Sequence, residues 1–251
     1  MHINNMNTFV KNTELAEALK KYNGKYSKDD VISYFTGINS FDSDFSDKSC
    51  AVVGSAPNIL DKKLGKEIDS HDFIIRSNAA RIEGFEDWVG SRTDLRLISG
   101  KTFSSISFET GGTLGLPSAT WFPRLKNEHF IVRPYPSNLD RVFGILDLHM
   151  NGNNKISYID RELETYSNAL TNGKESTTGF IAIILAVMLF KKVNIYGYSF
   201  YGGRQDAEFP SSKYYTMAPL PCGGLIHSFK GELEATKNLE SEGYLSIRTW
   251  K

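Results

Sequence analysis

The chain has 251 residues, 40% hydrophobic and 23% charged, the balance of an ordinary folded domain with a substantial core. Lys plus Arg and Asp plus Glu both number 29, so no net field draws it to polyanions, which argues against a general nucleic-acid binder. The N-terminal stretch MHINNMNTFV lacks the basic and apolar regions of a signal peptide, and the longest apolar run, Phe180 to Phe190, is far short of the roughly 20 residues of a membrane span.

The first 48 residues read as a helical extension with a linker. Thr13 can cap the segment ELAEALKKY, and Ser27 with Asp30 resembles a capping box ahead of DVISYF. The acidic, Ser-rich stretch from Asn39 to Lys48 supplies the linker, and a main domain is expected over residues 49–251. There, short apolar strands alternate with helices. Strands are expected at Cys50–Gly54, His71–Arg76, Asp94–Ser99, Phe130–Arg133 and Lys192–Tyr198. Helices are expected at Leu139–His149, Thr178–Phe190 and Phe229–Leu239, the last with Phe229, Leu233 and Leu239 on one face. The alternation implies a single Rossmann-like α/β/α sandwich around a mostly parallel sheet, with ligands at the carboxyl ends of its strands.

Four segments offer chemistry. Gly54-Ser55-Ala-Pro-Asn58 follows a strand, and its small residues let backbone N–H groups approach a phosphate; a plain strand-to-helix turn reads equally well. It is not G-x-G-x-x-G, so the dinucleotide fingerprint fails. Asn78, at the end of the next strand, can offer donor and acceptor to a base or ribose edge, or simply cap its own turn. Glu175-Ser-Thr177-Thr178-Gly179 opens the apolar helix, where hydroxyls, N–H groups and the positive dipole end converge on an anion, unless it is only a Ser/Thr cap. His227 precedes the last helix and Glu232 falls in that helix's first turn, where it complements the dipole and can orient a neighbour; a lone histidine is more often structural.

No Cys/His cluster has zinc-ligand spacing, and the sole D-x-D, Asp42-Ser-Asp44, sits in the linker, so metal independence is expected. The two cysteines, Cys50 and Cys222, are few for a secreted domain of this size. A reducing, cytoplasmic location is the expectation.

In order along the chain, these segments resemble the four motifs of the eukaryotic-type sialyltransferases, glycosyltransferase family 29. Cys50 to Leu97 resembles the long sialylmotif through AVVG, EIDSHD, R-x-N-x-A and VGSRT. Ser176 to Tyr198 resembles the short motif, Tyr214-Tyr215 the third, and His227-SFKG-Glu232 the very short motif. The resemblance implies a GT-A-like variant of the fold, an inverting transfer from a CMP-activated sugar to a glycan acceptor, and no cofactor beyond that donor. It implies donor contacts from Gly54, Ser55, Asn58, Asn78, Thr177, Thr178, Gly179, Tyr214 and Tyr215, with Tyr214 near the phosphate. It implies His227 as general base, with Glu232 beside it. A lipid-linked acceptor would add peripheral membrane contact.

Two departures stand out. The family usually pairs the cysteine opening the long motif with one in the short motif, yet Phe190 occupies that second place, and an apolar side chain can fill the gap. A Cys50–Cys222 bond stays open. The third motif often begins with His, where this chain has Lys213. Two rivals also stay open: CMP-Kdo as donor, because the motifs report the shared nucleotide half, and a nucleotide-binding module without turnover.

Overall fold

The computed structural model describes residues 45, 47–78, 80–99, 128–133, 155–158, 161–200, 208–209, 213–214, 220–221 and 226–249. The expected N-terminal helices, the helix Leu139–His149, Tyr215 and Cys222 lie outside these residues.

Seven strands form one sheet, in which every neighbouring pair is parallel. They are β1 (Ser49–Val53), β2 (Phe73–Ser77), β3 (Leu95–Ser99), β4 (His129–Arg133), β5 (Lys155–Tyr158), β6 (Lys192–Tyr196) and β9 (Leu245–Ile247), in the order β5-β4-β3-β2-β1-β6-β9. A separate antiparallel pair joins β7 (Glu208–Phe209) and β8 (Leu220–Pro221). Residues 50–53 of β1 are fully buried, as a central parallel strand covered on both faces requires.

One face carries α3 (Arg161–Leu170), α4 (Thr178–Leu189) and α5 (Phe229–Ser241), which pack Leu163, Phe180, Ile184, Ala235 and Leu239 into the larger core. The other face carries a 3-10 turn (Pro57–Asp61), α1 (Gly65–Asp69) and α2 (Glu86–Val89), which bury Ile59, Ile68 and Val89 against Ala51, Val53 and Ile74. The layers are therefore α/β/α. Among the described residues no helix is long and apolar enough to cross a membrane.

Helix α4 is apolar all round because the core surrounds it, with residues 180–186 buried on every side. Thr177 caps it by accepting the Phe180 N–H at 3.1 Å, and Phe190 ends it in extended conformation. Phe190 then packs on Phe45 and Phe73, with ring centroids 4.9 and 5.2 Å away. Cys50 shares this core with 0% exposure and carries a free thiol, whose pKa burial pushes up. Phenylalanine thus fills the place where the resemblance would put a second cysteine.

The chain leaves β1 toward β2 on one side and later returns to place β6 on the other. The loops leaving β1 and β6 diverge at this switch of direction and open a crevice at the strand ends.

Candidate functional site

The crevice is an open cleft at the strand ends, with a cavity volume of about 140 Å³. Each wall comes from a strand end or a helix start. After β1, Gly54 and Ala56 donate their N–H groups to the carbonyls of Tyr196 and Gly197, at 2.8 and 2.9 Å. The approach is so close that a Cβ on Gly54 would lie 2.5 Å from the Gly197 oxygen. Gly197 itself turns with φ 66°, a left-handed conformation that suits glycine.

After β2, Asn78 adopts φ 52° and accepts the Ser99 N–H through Oδ1 at 3.0 Å. That bond orients its amide, and the residue lines the cleft. Tyr198, just beyond β6, stands at the centre of the walls. Its hydroxyl donates to the Gly179 carbonyl and contacts Ser77 Oγ, both at 3.2 Å. Its ring stacks on Phe200 at 5.7 Å, and burial raises its pKa. A Cβ on Gly179 would sit 3.0 Å from that ring.

The start of α4 brings Thr177, Thr178 and Gly179 to the cleft, and the start of α5 brings Phe229 and Glu232. Glu232 is 2% exposed and accepts the Thr177 N–H and hydroxyl at 2.6 and 2.8 Å. Burial raises its pKa to about 7, although the Thr177 bonds and the Arg133 charge pull the other way. Lys213 is the basic side chain lining the cleft among the described residues, and burial lowers its pKa to about 8.

Of the residues singled out in the sequence, Gly54, Ser55, Asn78, Thr177, Thr178, Gly179 and Glu232 line this one cleft. Two others do not. Asn58 turns away from it, its Nδ2 donating to the carbonyls of Tyr198 at 3.2 Å and Thr249 at 3.1 Å, so it braces a wall from behind. Tyr214 donates its hydroxyl to the Arg81 carbonyl and packs its ring 5.0 Å from Phe85, within the core of the opposite sheet face. The third motif therefore presents Lys213 to the cleft in place of Tyr214. Tyr198 and Lys213 were not expected as site residues. Tyr198 carried a signal, because it ends the strand KVNIYGY and strand ends line such clefts.

His227 is not itself a lining residue but neighbours one of them, Phe229. It is half-buried, its ring centroid lies 6.1 Å from that of the cleft-lining Phe229, and its Nδ1 lies 2.7 Å from the Glu175 carbonyl oxygen. A carbonyl only accepts, so Nδ1 carries the proton of the neutral ring and Nε2 carries the lone pair. Glu232 orients Thr177 with both carboxylate oxygens, so the very short motif holds two separate tasks at one end of α5.

The model of glycosyltransferase family 29 (sialyltransferase) matches residues 5–120. A CMP-N-acetylneuraminate-beta-galactosamide-alpha-2,3-sialyltransferase 1 from Sus scrofa is 30% identical over 162 residues, covering 60% of this chain and 44% of the relative. A beta-galactoside alpha-2,6-sialyltransferase 2 from Takifugu rubripes is 29% identical over 194 residues, covering 68% of this chain and 34% of the relative. The chain is thus similar to glycosyltransferase family 29 over somewhat less than half of its length. It spans less than half the length of these sialyltransferase relatives.

A crystal structure of a mammalian sialyltransferase shares the fold, with a TM-score of 0.64, 20% identity, and coverage of 98% of this chain and 88% of that one. The chain places residues from the segments that resemble the four motifs around one crevice: Gly54 and Asn78 from the long motif, Gly179 and Tyr198 from the short, Lys213 beside the third, and Glu232 from the very short.

Proposed function

We propose that this chain is an inverting sialyltransferase that moves sialic acid from CMP-sialic acid to a glycan hydroxyl, with His227 as general base and no metal or cofactor. The observation that carries the reading is the contact of His227 Nδ1 with the Glu175 carbonyl, next to the cleft-lining Phe229. With Nδ1–H donating to the Glu175 carbonyl, a neutral ring carries its lone pair on Nε2, the atom that a general base would use.

In this mechanism Nε2 takes the hydroxyl proton as the oxygen attacks the anomeric carbon from the face opposite the phosphate. The new C–O bond forms as the bond to phosphate breaks, and CMP departs with the electron pair. The start of α4 and the Lys213 ammonium offset the charge that grows on CMP. Glu232, about half protonated at neutral pH, leaves that end of the cleft less repulsive to an anion than an ordinary carboxylate would. The match to the family model over residues 5–120 and the similarity to sialyltransferase relatives support the sugar assignment.

The test is incubation with CMP-Neu5Ac or CMP-Kdo, each with a glycan panel, measuring released CMP with and without EDTA. CMP release that requires CMP-Neu5Ac and a glycan, and ignores EDTA, is expected. Release from CMP-Kdo alone would reassign the donor, and CMP binding without release would make this a binding module.

A further inference from the structure

The peptide joining Glu175 to Ser176 is gripped from several directions. Its carbonyl accepts the His227 Nδ1 proton at 2.7 Å, and its N–H donates to Asn168 Oδ1 on α3 at 2.7 Å. Arg133, at the end of β4 and 2% exposed, donates to the Ser176 carbonyl at 2.9 Å and to the Glu175 carboxylate at 3.4 Å. Glu164 on α3 pairs with the same guanidinium. Ser176 is 0% exposed.

We propose that Arg133 and Asn168 are positioning residues that fix the Glu175–Ser176 peptide, so that its carbonyl selects the Nδ1–H tautomer of His227. The inference rests on the reading of His227 as base. A neutral imidazole released into water favours the opposite tautomer, with the proton on Nε2. A ring in that form has its lone pair on Nδ1, facing the peptide, and cannot take a proton from an acceptor in the cleft.

Asn168 fixes the plane of the peptide through its N–H, and Arg133 holds the residues on both sides of the same bond. The neighbouring Thr177 is held by Glu232, whose carboxylate shares no hydrogen bond with Asn168 and feels Arg133 only through its charge. Loosening the clamp at Asn168 therefore disturbs the base while the donor-facing side of the loop keeps its anchor. Two elements outside the cleft, β4 and α3, thereby set the protonation pattern of one atom next to the lining Phe229.

The experiment is long-range 1H–15N NMR of the His227 ring in the full chain, with turnover and CMP affinity measured on the same samples. The wild type is expected to show Nδ1–H. Asn168→Ala is expected to shift the ring toward Nε2–H and lower kcat by roughly tenfold or more, with CMP affinity unchanged within about twofold. Arg133→Met is expected to make the same shift and loss, and to weaken CMP binding as well, because Arg133 also donates to Thr178 in the cleft. Arg133→Lys should recover part of both signals.

Arg133→Met leaves two glutamates around an apolar side chain, so Asn168→Ala, which removes no charge, decides the matter if the first variant does not fold. Retention of Nδ1–H in the folded variants would overturn the clamp, as would a tautomer shift with no loss of kcat. Wild-type His227 protonated on Nε2 would overturn the clamp and the base reading together. Normal transfer by His227→Ala with an intact tautomer response would sink only the base reading.

Discussion

Glu232 closes both carboxylate oxygens on Thr177, one on the backbone N–H at 2.6 Å and one on the hydroxyl at 2.8 Å. The contact ties the start of α5 to the start of α4 inside the cleft. It also makes a pH prediction. The folded state holds the Glu232 proton up to about pH 7, whereas the ordinary carboxyl value is 4.5. Between those values the folded chain binds the extra proton, so the Glu232 contribution to stability falls as pH rises through that window and is flat above it. The full change is on the order of 3 kcal/mol. Urea denaturation from pH 4 to 8 should show this slope in the wild type and lose it in Glu232→Gln.

Lys213 gives the cleft a charge that titrates in an accessible range, because burial brings its amine down to about 8. Its ammonium is present below that value and lost as pH rises through it. Glu232 and Tyr198 also line the cleft, and Glu232, at about 7, is half titrated where the window below opens, so the comparison is made in a Glu232→Gln background. CMP affinity is expected to fall about tenfold between pH 7 and 9.5, the size of a lost charged hydrogen bond. Lys213→Arg should keep tight binding at the higher pH. Lys213→Met should bind weakly at both, and isothermal titration across that range distinguishes the three.

The sheet was legible where strands were apolar and buried: the expected Lys192–Tyr198 and Asp94–Ser99 fall on β6 and β3 within two residues. The polar segment RELETYSNAL was not read as a helix, although Leu163, Tyr166 and Leu170 have helical spacing, because its composition dilutes that signal. The three residues of β9 are too few to show a period.

The cleft was legible for the same reason as the sheet, since parallel topology brings residues as distant as Gly54 and Gly179 to the same strand ends. Side-chain direction was not. Asn58 lies in a 3-10 turn that swings its amide toward Tyr198 and Thr249, 140 and 191 residues further on, and no local pattern records such partners. Tyr214 finds its acceptor 133 residues earlier, at Arg81, so its hydroxyl is used by the core.

His227 provides the most direct test of the chemistry. Its ring contributes to the proposed transfer only when the acceptor hydroxyl is losing its proton, so its removal should act on kcat and leave CMP affinity nearly unchanged. His227→Ala is expected to lower kcat by roughly 10²–10⁴-fold. Turnover and CMP titration on the same preparation check the split. An equal loss in affinity would mean that the ring holds the donor.

Gly54 tests whether the β1 and β6 loops must touch for the cleft to exist. A methyl at this position would meet the Gly197 oxygen at 2.5 Å and the Tyr198 ring at 3.0 Å. Neither neighbour can swing aside at low cost: Gly197 oxygen already accepts the Ala56 N–H, and the Tyr198 ring is pinned through its hydroxyl to Gly179. The loops must therefore separate, at roughly 1–3 kcal/mol. Since Ser55 and Gly197 both line the cleft, the same displacement should weaken CMP binding. Gly54→Ala is thus expected to lose stability in urea and CMP affinity together. A variant as stable as the wild type, with undiminished affinity, would show that the two loops can part without consequence for the site.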